Sequence, residues 1–354
     1  MKTVFHLITT INRGGAENQL LVLVREQIKS GLDVHIVYLK GEPELKPEFV
    51  EAGARVHHEL ALKHPLLQPY VFRKIIAETK PIVHAHLPRA ELIALVTLSN
   101  FKFFVSRHNA EPFFPGAPKF ISNLLSRLVE VRSIKVIAIS NAVKDYLVNR
   151  GEIYNQNNIA VVLYGYRRHK LGNVSPNFKD AKNIKIGTIS RLTEQKDIPT
   201  MLSAVRIFHT NHPGSTLSIL GAGPLATDLK KQVSVMGLRE TVIFRGRSSR
   251  IYEFLSELDI FILTSKYEGF GMVLLEAMDA GIPILASNNS AIPEVLGENF
   301  LGLCKTGNPS DFASKLELLC DPEFRELLLS QQKTRLKYFE ADGMCKKIEE
   351  LYSL

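Results

Sequence analysis

Two doubly wound α/β domains are what this chain of 354 residues predicts. Short continuous Val/Ile/Leu runs recur along it, segments of ten or more residues with helical periodicity separate them, and the series occurs twice with a polar stretch between. Uninterrupted apolar runs mark parallel strands buried on both faces, and parallel neighbours need a crossover helix. At 45% hydrophobic and 23% charged residues, the chain can bury two cores.

The first series reads TVFHLIT (3–9), DVHIVYL (33–39), PIVHAHL (81–87), FKFFVS (101–106), KVIAIS (135–140) and IAVVLYG (159–165). The second reads KIGTIS (185–190), TLSILG (216–221), VIFRG (242–246), DIFILTS (259–265) and IPILAS (282–287), with helical stretches at 198–210 and 225–237. The polar RRHKLGNVSPNFKDAKN (167–183) joins them. The expected limits are therefore 1–167 for an N-terminal Rossmann-like domain, 168–183 for a linker and 184–354 for a C-terminal one, with the last helix free to return to the first domain. Ligands of open parallel sheets bind beyond the carboxyl ends of the strands. Two such sheets facing each other would share an interdomain cleft.

No apolar run reaches the ~18 residues of a membrane span, and the opening segment has no small-residue cleavage site. A cytoplasmic protein is expected. Cys304, Cys320 and Cys345 lack metal-ligand spacing and read as reduced thiols. The net charge of +8 is one-sided: residues 1–170 hold 23 Lys+Arg against 14 Asp+Glu, the rest 21 against 22. That asymmetry points to an anionic partner for the N-terminal half, or to a solvated basic face. Nucleic acid is disfavoured, because the basic residues are dispersed, Trp is absent and no recognition module appears.

Three strand-end segments carry candidate chemistry. Arg13-Gly14-Gly15-Ala16-Glu17 opens a helix with two glycines, which suits an anion at the positive end of the helix dipole. Arg191 and Lys196 follow the first strand of the second series, at a helix start where a diphosphate fits. KYEGFGMVLLEAMDAGIPILAS (266–287) sets Glu268 in a turn and Glu276 eight residues on, two turns along a helix, with Gly269, Phe270, Gly271 and Met272 between. Glu268 can accept hydrogen bonds from sugar hydroxyls. Glu276, inside an apolar run, needs a ligand or a buried donor.

Together with VHAHLP (83–88), SRHN (106–109), AISNAVKDYL (138–147), GAGPL (221–225) and IPEVL (292–296), these segments resemble the family 4 retaining glycosyltransferases of GT-B architecture over nearly the whole chain. The resemblance implies a metal-independent hexosyltransferase that moves a sugar from a nucleotide-diphosphate sugar, with UDP the expected carrier, to a saccharide or lipid-linked saccharide, in surface polysaccharide biosynthesis. It needs no cofactor beyond that co-substrate. It implies that Arg191 and Lys196 hold the donor diphosphate, that Glu276 holds the ribose, and that Glu268 with Gly269, Phe270, Gly271 and Met272 meets the donor sugar near the reacting carbon. Gly15 would close over the phosphates and His108 would face the sugar, so that Glu268, His108, Arg191 and Lys196 form the catalytic set.

Two segments depart from the family pattern. Tyr164-Gly165-Tyr166-Arg167 stands where Asn-Gly-Val-Asp is usual, and Ser290-Ala291 precede Pro293-Glu294 in place of glycines, reshaping a pocket wall; Glu294 reads as structural. His84 and His86 share a strand face without further ligands spaced near them, so no metal is expected. GAGPLA formally matches a dinucleotide fingerprint, but it follows the second strand and has no acidic partner, which disfavours an NADP oxidoreductase. A GT-B nucleotide-sugar epimerase is the nearer rival. The helical segment 116–135 places Phe120, Leu124 and Leu128 on one ridge and Ile121, Leu125 and Val129 on the next, with Lys119, Arg127, Arg132 and Lys135 among them. That suits a helix on the inner membrane face, or one packed on the core.

Overall fold

The computed structural model describes residues 2–77, 81–98, 103–169 and 183–354. Most of the expected linker, 170–182, lies outside the described residues, as do the first two residues of FKFFVS. The chain divides into two compact units, Met1–Arg167 with Phe339–Leu354, and Arg168–Tyr338.

In the first unit, β1 (Thr3–Ile8), β2 (Asp33–Tyr38), β3 (Arg55–His57), β4 (Ile82–His86), β5 (Phe103–Arg107), β6 (Ser133–Ala138) and β7 (Ile159–Val161) form one parallel sheet in the order β3-β2-β1-β4-β5-β6-β7. In the second, β8 (Lys185–Ile189), β9 (Thr216–Leu220), β10 (Val242–Gly246), β11 (Ile260–Leu263), β12 (Ile284–Ser287) and β13 (Leu303–Cys304) run β10-β9-β8-β11-β12-β13, again all parallel. The central strands are buried along almost their whole length, as uninterrupted apolar runs require. β3 and β13, of three and two residues, are edge strands that no apolar run announces.

In both sheets the strand order reverses once, between β1 and β4 and between β8 and β11. At such a switch point adjacent loops leave on opposite faces and open a crevice for a ligand.

Residues 339–354, whose helix the sequence left free to return to the first domain, belong to the first unit. The helix Ala341–Leu351 buries Ala341, Met344, Cys345 and Ile348, a stripe at helical spacing that packs on the helix Gly15–Lys29. Its entry is fixed by Tyr166 N–H donating to Phe339 O at 2.5 Å and by Gly165 N–H donating to Met344 Sδ at 3.0 Å. A Cβ on Gly165 would lie 2.7 Å from Ala341 Cα and 3.1 Å from Met344 Cβ. Gly165→Ala is therefore expected to destabilise the first unit by about 1–3 kcal/mol, as overpacking against backbone does. A denaturant midpoint equal to wild type would contradict this docking.

Candidate functional site

The loops that follow β8 and β11 flank the switch point of the second unit. A short 3₁₀ turn, Glu194–Lys196, ends at Asp197, whose φ of 45° opens the helix Ile198–His209. Thr264 Oγ1 donates to Lys196 O and Asp197 O at 3.0 Å each, Lys266 N–H donates to Gln195 O at 2.8 Å, and Gln195 Nε2 donates to Tyr267 O at 2.9 Å. Stitched in this way, the loops bring two of the expected site residues together: Lys196 Nζ lies 2.5 Å from Glu268 Oε1. Ser265 Oγ donates to the same oxygen at 2.6 Å, and Glu268 is only 6% exposed. Sequence reasoning missed Ser265, since nothing in its spacing marks it.

Arg191 is exposed, and its guanidinium makes no ion pair or hydrogen bond among the described residues. Gly269, buried Phe270 and Gly271 form the turn, and Gly271, at φ 86°, caps the helix Met272–Asp279. Because that turn uses three residues, the helix starts late and Glu276 lies one turn along it, not two. Its carboxyl is half-buried and has no hydrogen-bond partner among the described residues; burial pushes it up to about 7.

Ser290 explains one departure from the family pattern. Its φ is 57°, a conformation natural to glycine. Its hydroxyl accepts from Glu268 N–H at 2.9 Å and donates to Glu268 O at 2.5 Å, so the strained residue clamps the backbone of the buried glutamate. GAGPL is structural: a Cβ on Gly221 would lie 1.9 Å from Ser190 O, and on Gly223 2.4 Å from Leu192 O. These glycines admit the β8 loop. Glu257-Leu258-Asp259, the nearest approach in the sequence to an Asp-x-Asp carboxylate pair, is structural too, with Asp259 accepting from Lys185 N–H at 2.8 Å and Glu257 paired with Arg245.

In the first unit a cavity of about 310 Å³ lies beyond the ends of β1, β4 and β5, walled by Thr9, Arg89, His108, Asn109, Glu111 and Phe114 among others. Beneath it Arg107 pairs with the buried Glu91 at 2.8 Å, and burial pushes the Glu91 carboxyl up to about 7 against that attraction. Leu87, on the cavity wall, has φ 72°. Leu87, Asp197 and Ser290 are the non-glycine residues of positive φ among the described residues, and all three stand in strand-end loops, where strain marks functional sites. Gly15 is exposed, and a Cβ there would meet nothing within 4 Å, so the unit itself does not demand glycine.

His108 has both ring nitrogens occupied, Nε2 by His86 Nδ1 at 3.1 Å and Nδ1 by the Tyr164 hydroxyl at 2.5 Å. The sequence placed no third ligand near His84 and His86, yet β1 pairs with β4 in a register that sets His6 opposite His84. All three are buried with their ligand atoms close together. Each nitrogen nevertheless has a protein partner, and the group reads as a hydrogen-bonded layer.

The helix Lys119–Arg132 buries Ser122, Ser126 and Val129 and leaves Phe120, Leu124, Leu128 and Val131 exposed. Arg127 on it and Lys135 just beyond its end donate to backbone carbonyls, which leaves their charge uncompensated. Among the described residues no helix is long and apolar enough to cross a membrane.

Residues 13–166 match the family model described as glycosyltransferase family 4, and residues 173–335 that described as glycosyl transferases group 1. The chain belongs to glycosyltransferase family 4. It is 25% identical over 81% of its length to the putative glycosyltransferase EpsF of Bacillus subtilis, 79% of which is covered. It is 24% identical over 99% of its length to the capsular polysaccharide biosynthesis glycosyltransferase CapM of Staphylococcus aureus, 96% of which is covered. The structure of Anabaena HepE in complex with UDP superposes over 100% of both chains with a TM-score of 0.83 at 19% identity, which places this glycosyltransferase in the GT-B fold.

The Ser290 clamp generates a prediction for the glycosyltransferase. Ser290→Ala keeps the positive φ and removes both hydrogen bonds to Glu268, so stability should fall by about 1–3 kcal/mol. Ser290→Gly relieves the strain and should fall by less. Thermal melts of the three proteins check the order; an alanine variant as stable as the glycine one would refute the clamp.

Proposed function

We propose that the second unit binds a nucleotide-diphosphate sugar, with uridine as the favoured base, and that the enzyme transfers its sugar with retention to a saccharide or lipid-linked saccharide held by the first unit. The observation that carries this reading is the Lys196–Glu268 pair at the switch point, with Arg191 unpaired and Glu276 unpartnered among the described residues. The name of CapM supports a role in building a surface polysaccharide, and the UDP held by HepE supports the base.

Breaking a glycosyl–phosphate bond leaves negative charge on the diphosphate and positive charge on the sugar, so fixed cations at the leaving group lower the barrier. Arg191 and Lys196 supply them in place of a divalent ion; the sequence has no Asp-x-Asp pair, whose oxygens such an ion would favour. Glu268, its charge balanced by Lys196, faces the sugar, and Glu276 accepts from the ribose hydroxyls. The acceptor attacks from the face that the phosphate leaves, and the phosphate oxygen takes its proton.

A panel of nucleotide sugars is expected to raise the melting temperature, with one donor standing out. Glu276→Ala should weaken that donor's binding and spare turnover, whereas Glu268→Ala should lower turnover, by about 10²-fold or more, as loss of a transition-state contact does. A carboxyl with a pKa near 7 is neutral below and ionised above, so donor affinity should rise with pH through about 7 and level off beyond it, and Glu276→Gln should flatten that dependence. Activity should survive EDTA and be lost in Arg191→Ala. Wild-type turnover in both glutamate variants, or abolition by EDTA with rescue by Mn²⁺, would overturn the reading.

The exposed ridge Phe120, Leu124 and Leu128 favours an acceptor met at an anionic lipid surface. Its helix carries the uncompensated charge of Arg127 and is tied to the cavity wall by Phe114 N–H, which donates to Ser122 Oγ at 3.2 Å. The full chain should bind vesicles containing phosphatidylserine, lose binding as salt rises, and lose it in the Phe120→Ser/Leu124→Ser variant. Equal binding by that variant would refute the surface.

A further inference from the structure

From His108 on the wall of the first unit's cavity a continuous chain of polar groups runs into the interior. Tyr164 Oη lies 2.5 Å from His108 Nδ1, His108 Nε2 3.1 Å from His86 Nδ1, His86 Nε2 2.9 Å from His6 Nδ1, and His6 Nε2 2.7 Å from Gln27 Oε1. The chain crosses β1 and β4 and ends under the helix Gly15–Lys29. Its far end has a direction: Gln27 Nε2 donates to the Tyr352 hydroxyl, so Oε1 is the amide's acceptor and must receive His6 Nε2–H. His6 Nδ1 then accepts from His86 Nε2–H, His86 Nδ1 from His108 Nε2–H, and His108 Nδ1 from Tyr164 O–H. One buried amide fixes every tautomer.

We propose that Tyr164, His86, His6 and Gln27 are positioning residues that hold the His108 imidazole neutral, protonated at Nε2 and fixed in its plane. The imidazole then meets the substrate through its ring face and C–H edge, not as acid or base. The role in transfer rests on the donor reading above; the tautomer lock does not. The chain is no proton conduit, because it ends on a carboxamide, which does not relay a proton at neutral pH. It also accounts for tyrosine at 164, where the family pattern has asparagine: the hydroxyl donates to the outer nitrogen of His108 and closes the chain. Burial supports the same conclusion, lowering His108 to about 3 and raising the Tyr164 hydroxyl well above its usual range. Charged groups that share the cavity wall with His108 are Arg89, Glu91, Arg107 and Glu111, and Glu17 acts on Tyr164.

The test uses ¹⁵N correlation spectra of the histidines in the full chain, without donor. Wild-type His108 should be protonated at Nε2 alone and should not titrate across roughly pH 5.5 to 9. Gln27→Leu removes the directing acceptor, so the chain can reverse and His108 should gain a proton at Nδ1, several residues away from the change. Tyr164→Phe takes the donor from His108 Nδ1, so that nitrogen's resonance should move toward that of an unbonded imidazole nitrogen, and it should lower kcat about tenfold or more with donor KM changed far less, as loss of a histidine's outer partner does. If Gln27→Leu does not fold, Tyr164→Phe alone decides. Nδ1–H in wild-type His108, unchanged His108 resonances in Tyr164→Phe, or one equivalent of zinc bound through His6, His84 and His86 would each overturn the proposal. A tautomer lock seen in a protein whose melting no nucleotide sugar shifts would count against the donor reading and leave the lock standing.

Discussion

The lysine–glutamate pair beyond β8 and β11 is the contact around which the second unit's candidate site is organised. Lys196 is 13% and Glu268 7% exposed at the side chain, so neither charge can be left alone without a cost of about 3–5 kcal/mol. Each therefore fixes the other, and with it the loop that carries it. Ser265, Thr264, Gln195 and Ser290 hold the backbones around the pair, which sets where Arg191 and the helix bearing Glu276 can lie. Lys196 is thus a cation already balanced by a carboxylate, whereas the exposed Arg191 guanidinium has no counter-charge among the described residues.

The first unit solves a different problem with similar means. The layer that joins β1, β4 and the returning helix is built from neutral polar groups: His6, His84 and His86 at or near zero exposure, the half-buried His108, an amide and two tyrosine hydroxyls, each matched donor to acceptor. Neutral partners avoid the desolvation cost of buried charge. The returning helix contributes to this layer through Tyr352, whose hydroxyl lies 2.7 Å from His84 Nδ1. The last residues of the chain thus support the strands that begin it.

Strain gathers where these layers meet the strand ends. Leu87, Asp197 and Ser290 hold positive φ, worth about 1–3 kcal/mol each, in loops pinned on both sides. Ser290 shows how a sequence departure is accommodated: the glycine-like backbone is kept, and a hydroxyl compensates by bonding Glu268 twice.

The sequence by itself determined the fold class and the placement of the candidate residues along the chain, because buried parallel strands write apolar runs into it and turns write glycines. Arg191, Lys196, Glu268 and Glu276 were legible as strand-end or helix-start residues for that reason. It could not show that Lys196 and Glu268 touch, that GAGPL serves loop contact, or that His6 joins His84 and His86, since each depends on which strands lie side by side and in what register. Nor could it show that the helix Lys119–Arg132 packs through Ser122, Ser126 and Val129 while Phe120, Ile121, Leu124 and Leu128 stay exposed, because an amphipathic pattern names the apolar faces and only packing decides what is covered.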